Sequence, residues 1–312
     1  MNDSDRIKIY NDDCINIIKN IENESIDLIV TSPPYDNLRT YENENIEQLW
    51  NFDKFKIIAN ELYRVIKNGG IIVWIVNDAT INGSETGTSF RQALYFKDIG
   101  LNLHDTMIWN KNCCTFPETV RYYPCFEYMF ILSKGKPKSV HLIDDKINVA
   151  KNTKVYGKSR QIDGSLTYMS GFLKNRKIKE NGVRFNVWNL SNCNSNTERT
   201  NHPAQFPIHL ASDHIISWSD ENDLVFDPFM GSGTTGIASL KNNRKFIGCE
   251  INSNYFEIAR KRIDNELKLM NEKEFYEETN IQKANDSKFT LNFVIVLVLV
   301  LLISLSVIYI FG

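Results

Sequence analysis

The chain of 312 residues lacks a C-x-x-C pair: its six cysteines, Cys14, Cys113, Cys114, Cys125, Cys193 and Cys249, are scattered. Adjacent Cys113 and Cys114 cannot easily bridge each other. Neither a disulfide framework nor a zinc site is expected, and a reducing compartment is indicated. His104, His141, His209 and His214 show no metal-ligand spacing and read as structural or solvated, so no metal is expected. The start, Met1-Asn2-Asp3-Ser4-Asp5, is polar and acidic, unlike a secretory signal peptide. There is no internal repeat. A net charge of −2 says nothing by itself about nucleic acid or membranes, so charge has to be read locally.

What is present begins with Asp27-Leu28-Ile29-Val30-Thr31-Ser32-Pro33-Pro34-Tyr35. Leu28 to Val30 suit a short buried strand, and the prolines stop it by fixing φ and removing donors. Ser32 and the Pro33 carbonyl are then held as acceptors at a strand end, beside the ring of Tyr35. Such a turn can grip a planar group that carries an amine; it is also what an ordinary strand-ending turn looks like.

Strand and helix patterns alternate through most of the chain, which makes the class α/β. Strands are expected at Ile7–Tyr10, Leu28–Val30, Ile71–Val76, Leu103–Trp109, Tyr128–Leu132, Leu224–Phe226 and Lys245–Glu250. Helices are expected over Cys14–Ile21, Ile46–Lys67, Phe90–Ile99, Gly236–Lys241 and Asn254–Leu269. Asn68-Gly69-Gly70 reads as the end of the second helix.

Late in the chain, Asp227-Pro228-Phe229-Met230-Gly231-Ser232-Gly233-Thr234-Thr235 joins a strand to a helix. A Gly-x-Gly turn lets a ligand approach backbone N–H groups and a helix N-terminus. Glu250 closes the next strand, where an acidic side chain can accept both hydroxyls of a ribose. Gly236 supplies a third glycine, but no Lys stands before Thr234 or Thr235, so this is not a phosphate-binding P-loop. A nucleoside without phosphate fits best, which suggests S-adenosylmethionine.

Between Lys134 and Arg184 there are thirteen basic residues against four acidic ones, an excess of nine in an otherwise acidic chain. Tyr156, Tyr168, Phe172 and Phe185 are interleaved. The stretch reads either as a solvated basic face or as a nucleic-acid surface. On the second reading Lys151, Lys154, Lys158, Arg160, Lys174, Arg176 and Lys177 are the candidate DNA contacts.

Together these motifs resemble the β-class amino-methyltransferases of DNA, including type II restriction-modification methyltransferases. Ser32-Pro33-Pro34-Tyr35 is similar to the family's catalytic motif and Asp227 to Thr235 to its D-P-F-x-G-S-G-T cofactor motif. His202-Pro203-Ala204-Gln205-Phe206-Pro207 resembles its H-P-A-x-F-P segment, which helps enclose the methionine end of the cofactor. Asp13-Cys14 resembles its G-D-C turn, which reaches the adenine, although Asp12 replaces the glycine. The resemblance covers roughly residues 6 to 265 and implies S-adenosylmethionine as cofactor. It assigns Asp13, His202, Phe206, Asp227, Phe229, Gly231, Gly233, Thr234 and Glu250 to cofactor binding.

The implied fold is a circularly permuted, Rossmann-like, mostly parallel seven-stranded sheet with helices on both faces. The Asp227 and Glu250 strands should pair beside Ile7–Tyr10, with Ser32 to Tyr35 on the neighbouring strand's carboxyl edge. The implied reaction is methylation of an exocyclic base amine in double-stranded DNA, with the base flipped out of the helix. S-P-P-Y usually accompanies cytosine N4 in this family, so cytosine is preferred over adenine N6. A cognate restriction endonuclease acting on the same site is an admissible partner. A membrane-tethered, non-catalytic DNA-binding protein is the rival reading from another class. Enzymes acting on protein glutamine or RNA usually carry N-P-P-Y after the cofactor loop, the reverse of the order seen here.

Phe293 to Phe311 is uncharged, with Ser304 and Ser306 as its polar interruptions, and meets the roughly 20-residue length of a spanning helix. Lys283 and Lys288 precede it, which predicts a single-pass tail anchor with the body on the cytoplasmic side. The expected division is 1–133 catalytic half, 134–195 basic target-recognition region, 196–270 cofactor half, 271–288 charged linker and 289–312 transmembrane tail.

Overall fold

Runs of apolar residues buried on both faces build the centre of a computed structural model, which describes residues 6–34, 50–111, 119–154, 158–168, 176–191, 206–276 and 279. The main sheet contains β1 (Ile7–Tyr10), β2 (Ile26–Thr31), β3 (Ile66–Val76), β4 (Asn102–Asn110), β5 (Phe126–Ser133), β6 (Val187–Asn189), β7 (Leu224–Asp227) and β8 (Lys245–Cys249). Their spatial order is β1-β8-β7-β2-β3-β5-β4-β6. The strand before the glycine turn and the strand after it therefore lie between β1 and β2, as the permuted order requires. β5 is antiparallel to β3 and β4, and the remaining pairings are parallel. The sheet has eight strands rather than seven, because Val187–Asn189 adds to the edge in register with Ile108–Asn110.

Helices cover the sheet: α1 (Cys14–Ile18), α2 (Phe52–Val65), α3 (Thr88–Asp98), α4 (Ile208–Trp218) and α5 (Thr234–Lys241). In α2 the buried residues are Phe55, Ile58, Ala59, Leu62 and Val65, the 3–4 spacing of an amphipathic helix. They share a core with Ile29, Ile72, Trp74, Phe96, Phe130 and Phe226. A further helix covers 253–276 and extends into 271–276, at the start of the expected linker. Residues 1–263 form one unit, and Asp264–Gly312 a second.

Asn68-Gly69-Gly70 does not end α2. The helix stops at Val65, and β3 starts at Ile66 and runs through both glycines, with Ile66 paired to Ile26. A Cβ on Gly70 would lie 2.9 Å from the Asp27 carbonyl, so this glycine serves close strand approach.

The expected transmembrane helix and membrane localisation are corrected. Among the described residues no helix is long and apolar enough to cross a membrane. The run at 289–312 lies outside the described residues. Apolar length and the preceding lysines made the case for a span from composition, which by itself does not show that a chain's backbone bonds close within a helix as a bilayer requires. The fold class therefore stands as α/β without an assigned membrane helix.

Candidate active site

The glycine turn leaves β7 after Asp227 and enters α5 at Thr234. Gly231 has φ +54° and Gly233 φ +82°, the left-handed region that favours glycine. A Cβ on Gly233 would lie 3.0 Å from the Ala259 Cβ. At Gly236 it would lie 2.9 Å from the Phe246 ring, so the third glycine lets α5 close on β8. Glu250 follows β8 and accepts from the Gly231 N–H at 2.8 Å and the Asn252 N–H at 2.9 Å. Burial pushes its carboxyl above the ordinary value, against the restraining amide bonds. The Phe229 ring meets Trp50 edge-on at 5.3 Å and Trp74 at 6.3 Å.

Asp227 is 1% exposed. Its carboxylate accepts from Thr31 Oγ1 at 2.6 Å, Thr235 Oγ1 at 2.7 Å and the Phe229 N–H at 3.0 Å. Loss of water pushes the carboxyl up to about 6, while these three donors oppose the rise. Ser32, half-buried, and buried Pro33 follow directly from Thr31 at the carboxyl end of β2. The strand end that carries Ser32 and Pro33 thus stands beside the glycine turn, at the edge where open α/β sheets bind ligands.

The DNA methylase family model matches residues 26–261. The chain belongs to that family. It is 51% identical over 257 residues to the orphan methyltransferase M.BamHII of Bacillus amyloliquefaciens, covering 80% of this chain and 93% of that protein. It is 29% identical to the DNA adenine methyltransferase YhdJ of Escherichia coli, covering 82% of each. Among solved structures, the cytosine-N4-specific PvuII DNA methyltransferase superposes with TM-score 0.61 at 24% identity, over 82% of this chain and 85% of that one. M1.HpyAVI in complex with S-adenosylmethionine superposes with TM-score 0.52 at 25% identity, over 82% and 99%. The chain is thus a β-class DNA amino-methyltransferase that uses S-adenosylmethionine and acts on DNA.

The residues of this DNA methylase fit that cofactor. A Gly-rich turn without a phosphate-binding lysine suits a nucleoside, and the Glu250 carboxylate at the end of β8 offers acceptors. On the β1 side, Asn11 Nδ2 donates to the Glu250 carbonyl at 2.8 Å, drawing the Asp13 turn to the same edge. Asp13 caps α1 by accepting from the Ile15 N–H at 3.0 Å and pairs with Lys54 at 2.9 Å. Burial would raise its carboxyl, but the Ile15 amide and the Lys54 ammonium hold it below the usual range. Thr234 is buried at the start of α5, and Phe206 is half-buried just before α4. Tyr35 and His202 lie outside the described residues.

Four contributors were not singled out from the sequence: Thr31, Thr235, Lys54 and Trp50. Thr31 reads as the last residue before the Ser32 turn and Thr235 as the last of the cofactor motif, and a hydroxyl at each of those places was the available signal. Helix α4 was missed as well, despite apolar Leu210, Ala211, Ile215 and Trp218 at helical spacing.

In the basic stretch the antiparallel pairs are Lys158–Arg160 with Leu166–Tyr168, and Lys146–Ile147 with Asn181–Gly182. Lys154 bridges Lys177. Lys151, Lys154, Lys158, Arg160, Arg176 and Lys177 are exposed, and Lys151 pairs with Glu180 at 2.6 Å. Lys174 lies outside the described residues.

Proposed function

We propose that this DNA methylase methylates the exocyclic N4 amine of a cytosine flipped out of double-stranded DNA within a specific sequence. The observation that carries the reading is Ser32-Pro33 at the end of β2, directly beyond the Thr31–Asp227 bond to the cofactor strand. S-adenosylmethionine supplies an electrophilic methyl on a positively charged sulfur. A cytosine amine is a poor nucleophile because its lone pair is conjugated with the ring. Hydrogen bonds from its N–H groups to Ser32 Oγ and the Pro33 carbonyl leave more electron density on nitrogen and offset the charge that grows there. Holding the amine in line contributes the rest of the acceleration. Tyr35 is assigned to stacking on the base.

Ser rather than Asp at position 32 supports cytosine over adenine. The basic residues Lys151, Lys154, Lys158, Arg160, Lys174, Arg176 and Lys177 are assigned to the phosphate backbone, which positions DNA without specifying bases. A protective role alongside a restriction endonuclease fits the family. A 51%-identical relative described as an orphan methyltransferase lends a cognate nuclease no support. The non-catalytic reading is disfavoured by the intact cofactor turn, and its membrane tether has no support.

Expression in a methylation-free host, with modified bases read by long-read sequencing, tests the assignment. The expected product is N4-methylcytosine in one recurrent sequence; N6-methyladenine alone overturns the choice of base.

A further inference from the structure

Carboxylates fasten β2 and β7 together at both ends. At one end Asp27 of β2 accepts from the Leu224 N–H of β7 at 3.0 Å. At the other, Asp227 of β7 accepts from Thr31 Oγ1 of β2 at 2.6 Å. The two fastenings differ in kind. Asp27 takes a backbone amide that almost any residue offers, whereas the Asp227 fastening depends on the side chain that immediately precedes Ser32. Asp227 also takes Thr235 Oγ1 in the first turn of α5 at 2.7 Å and the Phe229 N–H at 3.0 Å. One carboxylate thus ties together the catalytic turn, the Phe229 backbone and the start of α5. Thr31 and Thr235 have no exposed surface, so water does not compete with these bonds.

The ladder shows why the side chain matters. β7 and β2 pair only at Val225–Leu28 and Phe226–Ile29. Thr31 lies two residues beyond the last of those pairs. Pairing with β3 continues to Thr31–Trp74, so backbone bonds hold the catalytic turn to β3. Past the ladder its placement against the cofactor strand is carried chiefly by the Thr31 hydroxyl at 2.6 Å, with a longer contact from Thr235 Oγ1 to the Val30 carbonyl at 3.4 Å.

We propose that Thr31 is a positioning residue for methyl transfer, setting the Ser32-Pro33 acceptors against the cofactor turn through Asp227. The inference deepens the proposed function and rests on it. A displaced acceptor pair still binds cofactor and DNA but misaligns the amine, and misplacement of about 1 Å can cost a hundredfold in rate. Because Asp227 keeps its bonds from Thr235 and Phe229 when the Thr31 hydroxyl is lost, the cofactor turn should hold while the catalytic turn slips. Loss of the Thr235 hydroxyl should loosen the start of α5 directly.

The test uses the full chain and three variants: Thr31→Val, which keeps the β-branched shape, Thr31→Ser, which keeps the hydroxyl, and Thr235→Val. S-adenosylmethionine affinity is measured by calorimetry, kcat and the KM for DNA by methyl transfer, and folding by thermal melts. Thr31→Val is expected to hold cofactor Kd and DNA KM within about twofold while kcat falls roughly tenfold to a hundredfold. Thr31→Ser should recover most of the rate, and Thr235→Val should weaken cofactor binding about tenfold. A Thr31→Val rate within about twofold of wild type overturns the proposal. So does a loss of cofactor affinity as large as the loss of rate, or failure of Thr31→Ser to rescue. A wild-type chain that methylates adenine overturns the base assignment and leaves the Thr31 comparison intact. One that transfers no methyl overturns both.

Discussion

Asp227 holds an ionisable group where water cannot reach, and its proton equilibrium becomes a property of the fold. Its carboxyl sits near 6 in the folded chain against an ordinary 3.8. The folded state therefore takes up this proton first as pH falls. The group's stabilising contribution is fully present below about pH 4 and is lost as pH rises through 6. His214 acts in the opposite sense. Its ring is wholly buried, stacked on Trp188 at 4.5 Å, and accepts from Trp218 Nε1 at 3.3 Å. Burial, reinforced by Arg184, depresses it to about 3 from 6.5. It supports the fold above pH 6.5, and that support drains as pH falls toward 3. Urea midpoints between pH 4.5 and 7 should show wild type gaining on Asp227→Asn as pH drops, and losing ground to His214→Phe. Ser32→Ala is expected to keep cofactor affinity by calorimetry and lose most turnover; near-normal rates would mean that the Pro33 carbonyl suffices. Ser32 and Glu250 stand out as candidates from single letters because the resemblance to the family singles them out. Thr31 does not, because its importance lies in a partner 196 residues away in sequence.

At the level of elements, the glycine turn is where backbone geometry and ligand access coincide. Gly233→Ala imposes a left-handed conformation that costs about 1–2 kcal/mol and drives a Cβ against Ala259 in the following helix. Gly83 has the same φ of +82° but nothing within 4 Å of a Cβ. Gly83→Ala thus isolates the conformational cost, and Gly233→Ala should lower Tm further and weaken S-adenosylmethionine binding. Strand identity was readable wherever β-branched residues ran together, as in β2 and β3. Boundaries were not: Asn68-Gly69-Gly70 has the composition of a helix end, and only the approach of Asp27 reveals that the strand runs through it. The three-residue β6 has too little pattern to announce itself, since its place is set by pairing with β4.

Across the whole molecule, motif order foretold that β7 and β8 would fit between β1 and β2, because each motif must reach one edge of one sheet. The hydropathy of 289–312 pointed to a membrane that no described helix supports. Charge distribution makes a prediction at this scale. Replacing Lys154, Lys158 and Arg160 together with alanine should weaken DNA binding and reduce the salt dependence by about 0.9 per lost phosphate contact, up to roughly 2.7 in log–log slope. Cofactor affinity should not change; an unaltered salt slope would place the DNA elsewhere. Finally, the basic stretch departs from the sheet at Ser133 of β5 and returns to it at Val187 of β6, two residues before Asn189 pairs with Asn110. Near its ends Ser139 and His141 also bond to Asp220 at 2.6 and 2.7 Å and Arg184 pairs with Asp213 at 2.6 Å, so an exchange confined between these moorings spares the strands that carry Thr31 and Asp227. On the proposed reading of this insert as the DNA-contacting region, such an arrangement lets the grip on DNA diversify while the chemistry stays where it is.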